Sequence, residues 1–458
     1  MKNIYCSFWV LVSALFIGLS AFGQAGGVFT VAGGGTSTVD GVPATNASLH
    51  TVSGIATDAA GNVYIADEGS RVIRKVDGAS GLISTIAGTY GTAGFSGDGG
   101  PAYMALLSNG LGGLHVTASG DLYIADGIRV RRIDFVTGII TTVAGGGSST
   151  ADGIPATAAA INIQQVFLDT VGNIYLDTDN RLKKVDVSTG LITTIAGGGT
   201  STADGVPATN ALISGSLQSI CMDNAGNIYI AGDAMDEVIR KIDASTGLIH
   251  TVAGGGASTA EGVPATTTQL FGFKSFRVDG AGNIFISDWD YDRVRRVDAA
   301  TGLVNTIVSC SAICDSLTEG VSPTSAVLRP RAMWLNTSAG TAFCVHGFKK
   351  VKRFTYTPMV TLYGAGTAGL YASDSLYVNI DMRCSGPEFT VRTRNLYPGM
   401  TIRTYFGDGS SDTSVVGVPW SGAGGYVRTS VAYPVSGTYS VMHVLCNSGI
   451  PVDTLSYS

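Results

Sequence analysis

Two sets of side chains in this sequence have the types and spacing to do chemistry. The first is an acid followed by glycine, at Asp40, Asp98, Asp152, Asp204, Glu261 and Glu319, recurring every 52 to 58 residues. Proline follows three positions on in the first five copies, at Pro43, Pro101, Pro155, Pro207 and Pro264. Gathered on one face of a ring, with Asp67, Asp126, Asp177, Asp233 and Asp288 from neighbouring turns, these acids would form a rim that binds a cation such as calcium, or a polar ligand. The other reading is that each carboxylate accepts nearby backbone N–H groups and fixes its own loop. Six near-identical copies favour the second, because a functional site breaks symmetry. The second set is asymmetric. Counted back from a recurring turn glycine, one strand position carries Ala56, His115, Phe167, Cys221, Arg277 and Leu335. His115, Cys221 and Arg277 are unusual there, and would converge on a channel mouth if the repeats close into a ring; ordinary packing between repeats is the alternative.

The frame that positions them is repetitive. AGNVYIAD at 60–67 returns as SGDLYIAD at 119–126, VGNIYLDT at 171–178, AGNIYIAG at 225–232 and AGNIFISD at 281–288, with a worn copy, AGTAFCVH, at 339–346. A period in the fifties holding several short apolar runs suits a four-stranded propeller blade. In the first unit the runs are 54–58, 62–66, 71–77 and 82–87, separated by the turns DAAGN, DEGS and GASG. Each run is short and bounded by turn residues, as hairpin strands are. The sixth unit supplies three strands, at 331–336, 341–346 and 349–354, and lacks a fourth, whereas 28–32 reads as a fourth strand with no partners before it. The two gaps fit each other. Six blades over 28–357, closed by the N-terminal strand, are expected. The AGGG at the exit of the outer strand provides a sharp turn; without a following Lys-Ser/Thr or helix it is no phosphate loop.

The whole chain bounds the function. Its 458 residues leave room for a second domain. Only 14% are charged, 63 are Gly, and mean hydropathy is +0.28, a β-protein composition. A net charge of −6 gives no basic footprint for nucleic acid. Residues 1–23 read as a signal peptide: Lys2, an apolar run from Phe8 to Phe22, then small residues. The run is short for a membrane anchor and broken by Gly18 and Ser20. A mature start near Gln24, bacterial export, and a secreted or cell-surface location without a membrane span are therefore expected. Cys6 leaves with the signal, and six cysteines remain, an even number in an exported chain. Cys384 and Cys446, the pair in the C-terminal segment, are expected to join. Cys310 and Cys314 bracket a short loop and are a second candidate disulfide. Cys221 reads as a buried free thiol.

The residues also carry two family resemblances. GTAGFSGDGGPA at 91–102, DLYIADGIRVRRID at 121–134 and TGIITTVAG at 137–145 resemble NHL repeats, clearly over 28–310 and weakly over 311–357. NHL repeats form six-bladed β-propellers, which agrees with the blade count from spacing. YFGDGSSDT at 405–413 and YPVSGTYSV at 433–441 resemble the PKD fold, an immunoglobulin-like β-sandwich. Tyr405, Phe406, Gly407, Asp408, Gly409, Tyr433, Gly437, Tyr439 and Val441 match its signature, and Cys384 and Cys446 would then sit on facing strands. The fold class is thus all-β, a six-bladed propeller over 24–357 followed by a PKD-like sandwich over 358–458.

Similarity to six-bladed lactonases and amidating lyases implies a metal on the channel axis. Zinc needs converging His, Cys or carboxylate ligands. His50, His115, His250, His346 and His443 fall on different elements, which weighs against a His-ligated zinc site. A carboxylate calcium site stays open; no other cofactor is indicated, and no Gly-x-Ser-x-Gly elbow appears. Basic residues recur in the third strand of each unit, among them Arg74, Arg131, Lys183, Arg240, Arg295 and Lys352. Spread around the ring, they are expected to pair with acids near the blade edges and not to bind RNA, as some NHL propellers do. The leading expectation is a monomeric, non-enzymatic binding or adhesion scaffold for a protein or glycan at the cell surface. Its rival is a metal-assisted lyase or lactone hydrolase at the channel mouth.

Overall fold

Short apolar runs joined by Asp-, Asn- and Gly-bearing turns build antiparallel hairpins, and the hairpins build blades. The computed structural model describes residues 27–355 except 214, 216, 233–236, 271, 310–327 and 337–340, and beyond these only the backbone of later strands. Contacts divide the chain into two compact units between Thr357 and Pro358. Residues 1–23, Asp233, Cys310, Cys314, Glu319, Cys384 and the PKD-like positions Phe406, Gly407, Asp408, Gly409, Tyr433, Gly437 and Tyr439 lie outside the described residues. Among the described residues no helix is long and apolar enough to cross a membrane.

The first unit is an all-β six-bladed propeller. In the first blade the inner strand Val52–Thr57 pairs with Val63–Asp67, which pairs with Val72–Val76, which pairs with Leu82–Ala87. The inner strands of the next five blades are Leu111–Val116, Val166–Leu168, Leu217–Met222, Ser275–Val278 and Pro330–Asn336. Each packs beside the next, and the sixth packs beside the first. Phe29–Ala32 is the outermost strand of the sixth sheet, with Phe29 opposite Arg353 and Ala32 opposite Val351.

The inner hairpin turns are fixed by their acids. Asp58 accepts from the backbone and side-chain nitrogens of Asn62 at 2.9 and 2.7 Å, and from the Tyr64 hydroxyl at 3.0 Å. The same set recurs at Asp169, Asn173 and Tyr175, and at Asp223, Asn227 and Tyr229. An Asp at this position is therefore a turn former.

The apolar core lies between blades, not within them. One cluster joins Ala56, Ile73 and Ala87 of the first blade to Leu107, Leu114 and Ile124 of the second. Another joins Val345 and Val351 of the sixth to Val52, Ile55 and Ile65 of the first. The second strands are buried on both faces for this reason, as in the fully buried run Val63–Asp67.

The connection from one blade to the next takes a path the strand pattern alone does not reveal. It runs along the outer edge of the next blade, where Val42–Pro43 pairs with Ile83 and Leu82 as a fifth strand. Ile154–Pro155, Val206–Pro207 and Val263–Pro264 repeat this in the third, fourth and fifth blades. A three-residue 3-10 turn then buries an alanine, Ala44 in the first copy, and the chain returns to the centre. The triple glycine serves this path: Gly33 and Gly34 have φ of 83° and 98°. Gly35 passes so close to the Asn46 carbonyl that a Cβ would overlap it.

The second unit has two antiparallel sheets. Leu376–Arg383 pairs with Gly386–Thr393, which pairs with Tyr426–Arg428; in the other sheet the order is Ser411–Val415, Thr401–Tyr405, Val441–Asn447, Ile450–Tyr457. Cys446 falls on Val441–Asn447, whose side chains are outside the described residues.

Candidate functional site

The repeated acids are spent on the frame. Asp40 accepts from Nη2 of Arg74 at 3.1 Å and from the backbone N–H and hydroxyl of Thr85, both at 3.0 Å. Asp98 pairs with Arg131 at 2.8 Å, Asp152 with Lys183 at 2.7 Å, and Asp204 with Arg240 at 3.5 Å. Glu261 lies between Arg293 at 3.4 Å and Arg295 at 3.7 Å. The cations are the buried members, with Arg74, Arg131 and Arg295 fully enclosed, while the acids keep about half their surface. Of the two readings of these acids, such contacts are those of a carboxylate that fixes its own blade. These acids lie in the connection beside the outer strands, each matched to a cation of its own blade, because that connection follows the blade edge.

The acids expected in open turns are also turned inward. Asp67, Asp126, Asp177 and Asp288 are all buried. Asp67 accepts from the N–H groups of His50 and Thr51 at 3.1 and 3.2 Å, and Asp177 from those of Gln164 and Gln165 at 2.9 and 2.7 Å. Each ties the chain entering an inner strand to the second strand of the same blade. Burial pushes the Asp177 carboxyl up to about 7, against the pull of backbone N–H donors, those of Gln165 and Gln164 first. Among the described residues no three or more His, Cys, Asp or Glu gather to hold a metal ion.

The asymmetric set does converge. Ala56, His115, Phe167, Cys221 and Arg277 lie opposite Tyr64, Tyr123, Tyr175, Tyr229 and Phe285 on their second strands. In the sixth blade the residue opposite Phe343 is Trp334, which replaces Leu335 in the expected ring. Trp334 and Phe343 are nine positions apart, against eight for the matching pair in the other blades, and this one extra residue moves the inner strand by one position. His115 meets Phe167 and Trp334 edge-on at 5.0 and 5.9 Å, and the Arg277 guanidinium lies 5.4 Å from the centre of Trp334. Arg277 donates through Nη1 to the Phe276 carbonyl at 2.8 Å, the Ser219 hydroxyl at 3.2 Å and the Cys221 sulfur at 3.8 Å. Burial, then the charge of Arg277, pushes His115 down to about 3. Burial raises the Cys221 thiol against the opposing charge of Arg277. At neutral pH these are a neutral imidazole and a thiol, neither a thiolate nucleophile nor a cationic acid. Cys221 and Cys344 are free and buried.

Arg277 also lines a cavity of about 390 Å³ among the inner strands. All six inner strands or their entries line it, through Ser53, Gln164, Gln165, Gln218, Ser275 and the basic residues Lys274, Arg277 and Arg331, together with small and apolar positions. Among the described residues no Asp or Glu lines it. The inner strands approach closely where side chains are small: Gly113 N–H donates to the Gln164 carbonyl at 2.7 Å. The sequence reading found Arg277 but missed Lys274, Arg331 and the glutamines, which stand at strand entries where no repeat marks them.

A family model described as the Teneurin NHL domain matches residues 92–195. No curated protein matches the sequence. Among solved structures, a protein of unknown function from Bacteroides thetaiotaomicron superposes with a TM-score of 0.54 at 18% identity, over 72% of this chain and 76% of that one. An auxiliary nutrient binding protein from the same organism gives 0.51 at 13% identity, over 71% and 75%. Another so described, from Bacteroides ovatus, gives 0.50 at 14%, over 72% and 76%. At these identities the likeness is one of fold.

Proposed function

We propose that the protein is an exported, non-enzymatic binding scaffold, an NHL-type ring closed by its N-terminal strand and followed by a PKD-like spacer, that takes a glycan or the polar tip of a surface protein at the channel mouth. The observation that carries this reading is the cavity itself, walled from six strands by hydroxyls, amides and cations. Amide and hydroxyl groups offer both donors and acceptors, which suits a hydroxyl-rich ligand. Two similarly folded proteins described as auxiliary nutrient binding proteins lend it support. His115 and Cys221 are held among aromatic rings and Arg277, an arrangement that favours packing over proton transfer.

The test is a screen of the full-length exported protein against immobilised glycans and surface proteins, with the double variant Gln164→Ala and Gln218→Ala as control. Binding that falls about tenfold or more, roughly 1.4 kcal/mol, at unchanged melting temperature supports the scaffold. Turnover of a lactone or peptide-amide substrate that vanishes when His115 is changed, or one tightly held calcium or zinc per chain by elemental mass spectrometry, would replace it with the metal-assisted lyase or hydrolase.

A further inference from the structure

We infer that the cavity selects an anion: a carboxylate- or phosphate-bearing ligand the size of a small sugar. The inference rests on the binding reading above and sharpens it. Its basis is a contrast in how cations are used. In the blades, the buried basic residues are matched to acids, as Arg74 is to Asp40, Arg131 to Asp98 and Lys183 to Asp152. At the cavity, Lys274 and Arg277 form no ion pair among the described residues, and the hydrogen bonds of Arg277 go to a carbonyl, a hydroxyl and a thiol. Arg331 has Glu68 beside it and lies 4.3 Å from the centre of the Phe348 ring.

Two of the nearby carboxylates are held by backbone N–H groups. Asp177 stands behind the wall, holding the N–H groups of Gln164 and Gln165, and Glu237 accepts from the Gly272 N–H. Three cations converging from two adjacent blades on a walled space, with no acid in its lining among the described residues, focus positive potential on whatever enters. Charge-assisted hydrogen bonds from guanidinium and ammonium groups to a carboxylate or phosphate are the strong ones. The volume, about 390 Å³, lies at the lower end of small-molecule pockets. Gln164, Gln165, Gln218, Ser53 and Ser275 supply partners for hydroxyls around the charged group.

Calorimetric titration of the full chain with inorganic phosphate, D-glucuronate and D-glucose, at low and high salt, tests this. Phosphate and glucuronate are expected to bind, more weakly as salt rises, and glucose at least about tenfold less well. Lys274→Met, at an exposed position, is expected to weaken both anions about threefold to tenfold without lowering the melting temperature; Arg331→Gln is the second variant. Tighter phosphate points to a phosphorylated ligand, and tighter glucuronate to an acid sugar. Glucose binding as tightly as glucuronate, or anion binding indifferent to both variants, overturns the anion assignment and leaves the scaffold standing. No binding of any of the three also overturns it, and the scaffold is then judged by the glycan and protein screen alone.

Discussion

At the scale of single residues, the propeller uses burial to set protonation. Asp177, raised to about 7, folds best with its proton on. Its folded value lies above the unfolded one of about 3.9, so its contribution to stability is full below about pH 4 and is lost as the pH rises through 7. His115 works at the other end. Lowered to about 3, it favours the folded state above its unfolded value of about 6.5, and that contribution is lost as the pH falls through 3. His346, lowered to about 4 by burial and then by Lys352, Lys350 and Arg329, acts in the same direction. Asp177→Asn, which keeps an oxygen for the Gln164 and Gln165 N–H groups, is expected to remove the decline between pH 4 and 7 and to be more stable than the parent at pH 8. Urea unfolding at pH 4, 6 and 8 reads this directly; a variant with the parent's pH profile contradicts it. His115, Cys221 and Arg277 were legible as a convergent set because strand period and turn glycine fix their height in the ring. Trp334 was not, since one extra residue between the paired strands leaves no mark in composition. Nor were Lys274 and Arg331, whose importance depends on which strand entries face the channel.

At the scale of elements, the acid-Gly-x-Pro connection and the third strand form one device. The strand carries a basic residue into the apolar space between blades, and the connection brings the acid that makes it tolerable. The two halves are not equivalent, because Arg74 is wholly buried whereas Asp40 keeps about half its surface. Asp40→Ala strands a desolvated cation and is expected to cost about 2 kcal/mol. Arg74→Met leaves a solvated carboxylate and fills the space with an apolar chain, so it should stay within about 1 kcal/mol of the parent. Chemical denaturation of the two variants compares them; equal losses would mean that the pair, and not the burial of its basic half, sets the energy. The strands, their order and the blade period could be read from sequence, since alternating apolar runs and turn residues are local signals. The path of the connection could not. A two-residue strand such as Val42–Pro43 has no periodicity to detect.

At the scale of the molecule, the sixth sheet draws its strands from both ends of the propeller: Phe29–Ala32 pairs with Lys350–Thr355. Val31 and Ala32 pack with the core shared by the sixth and first blades, and Val28 with that between the fifth and sixth. Deleting residues 24–34 is therefore expected to open the ring and lower the melting temperature by many degrees, with loss of cooperativity in a thermal scan. A truncated chain that melts like the parent would show that closure lies elsewhere. The outer edges carry a last consequence. In four blades the sheet ends on a strand only two residues long whose second residue is proline: Pro43, Pro155, Pro207 and Pro264. Proline has no N–H to offer a neighbour. A second molecule arriving at such a margin finds no ladder to extend, so copies of the ring can crowd together without one blade recruiting another into a continuous sheet.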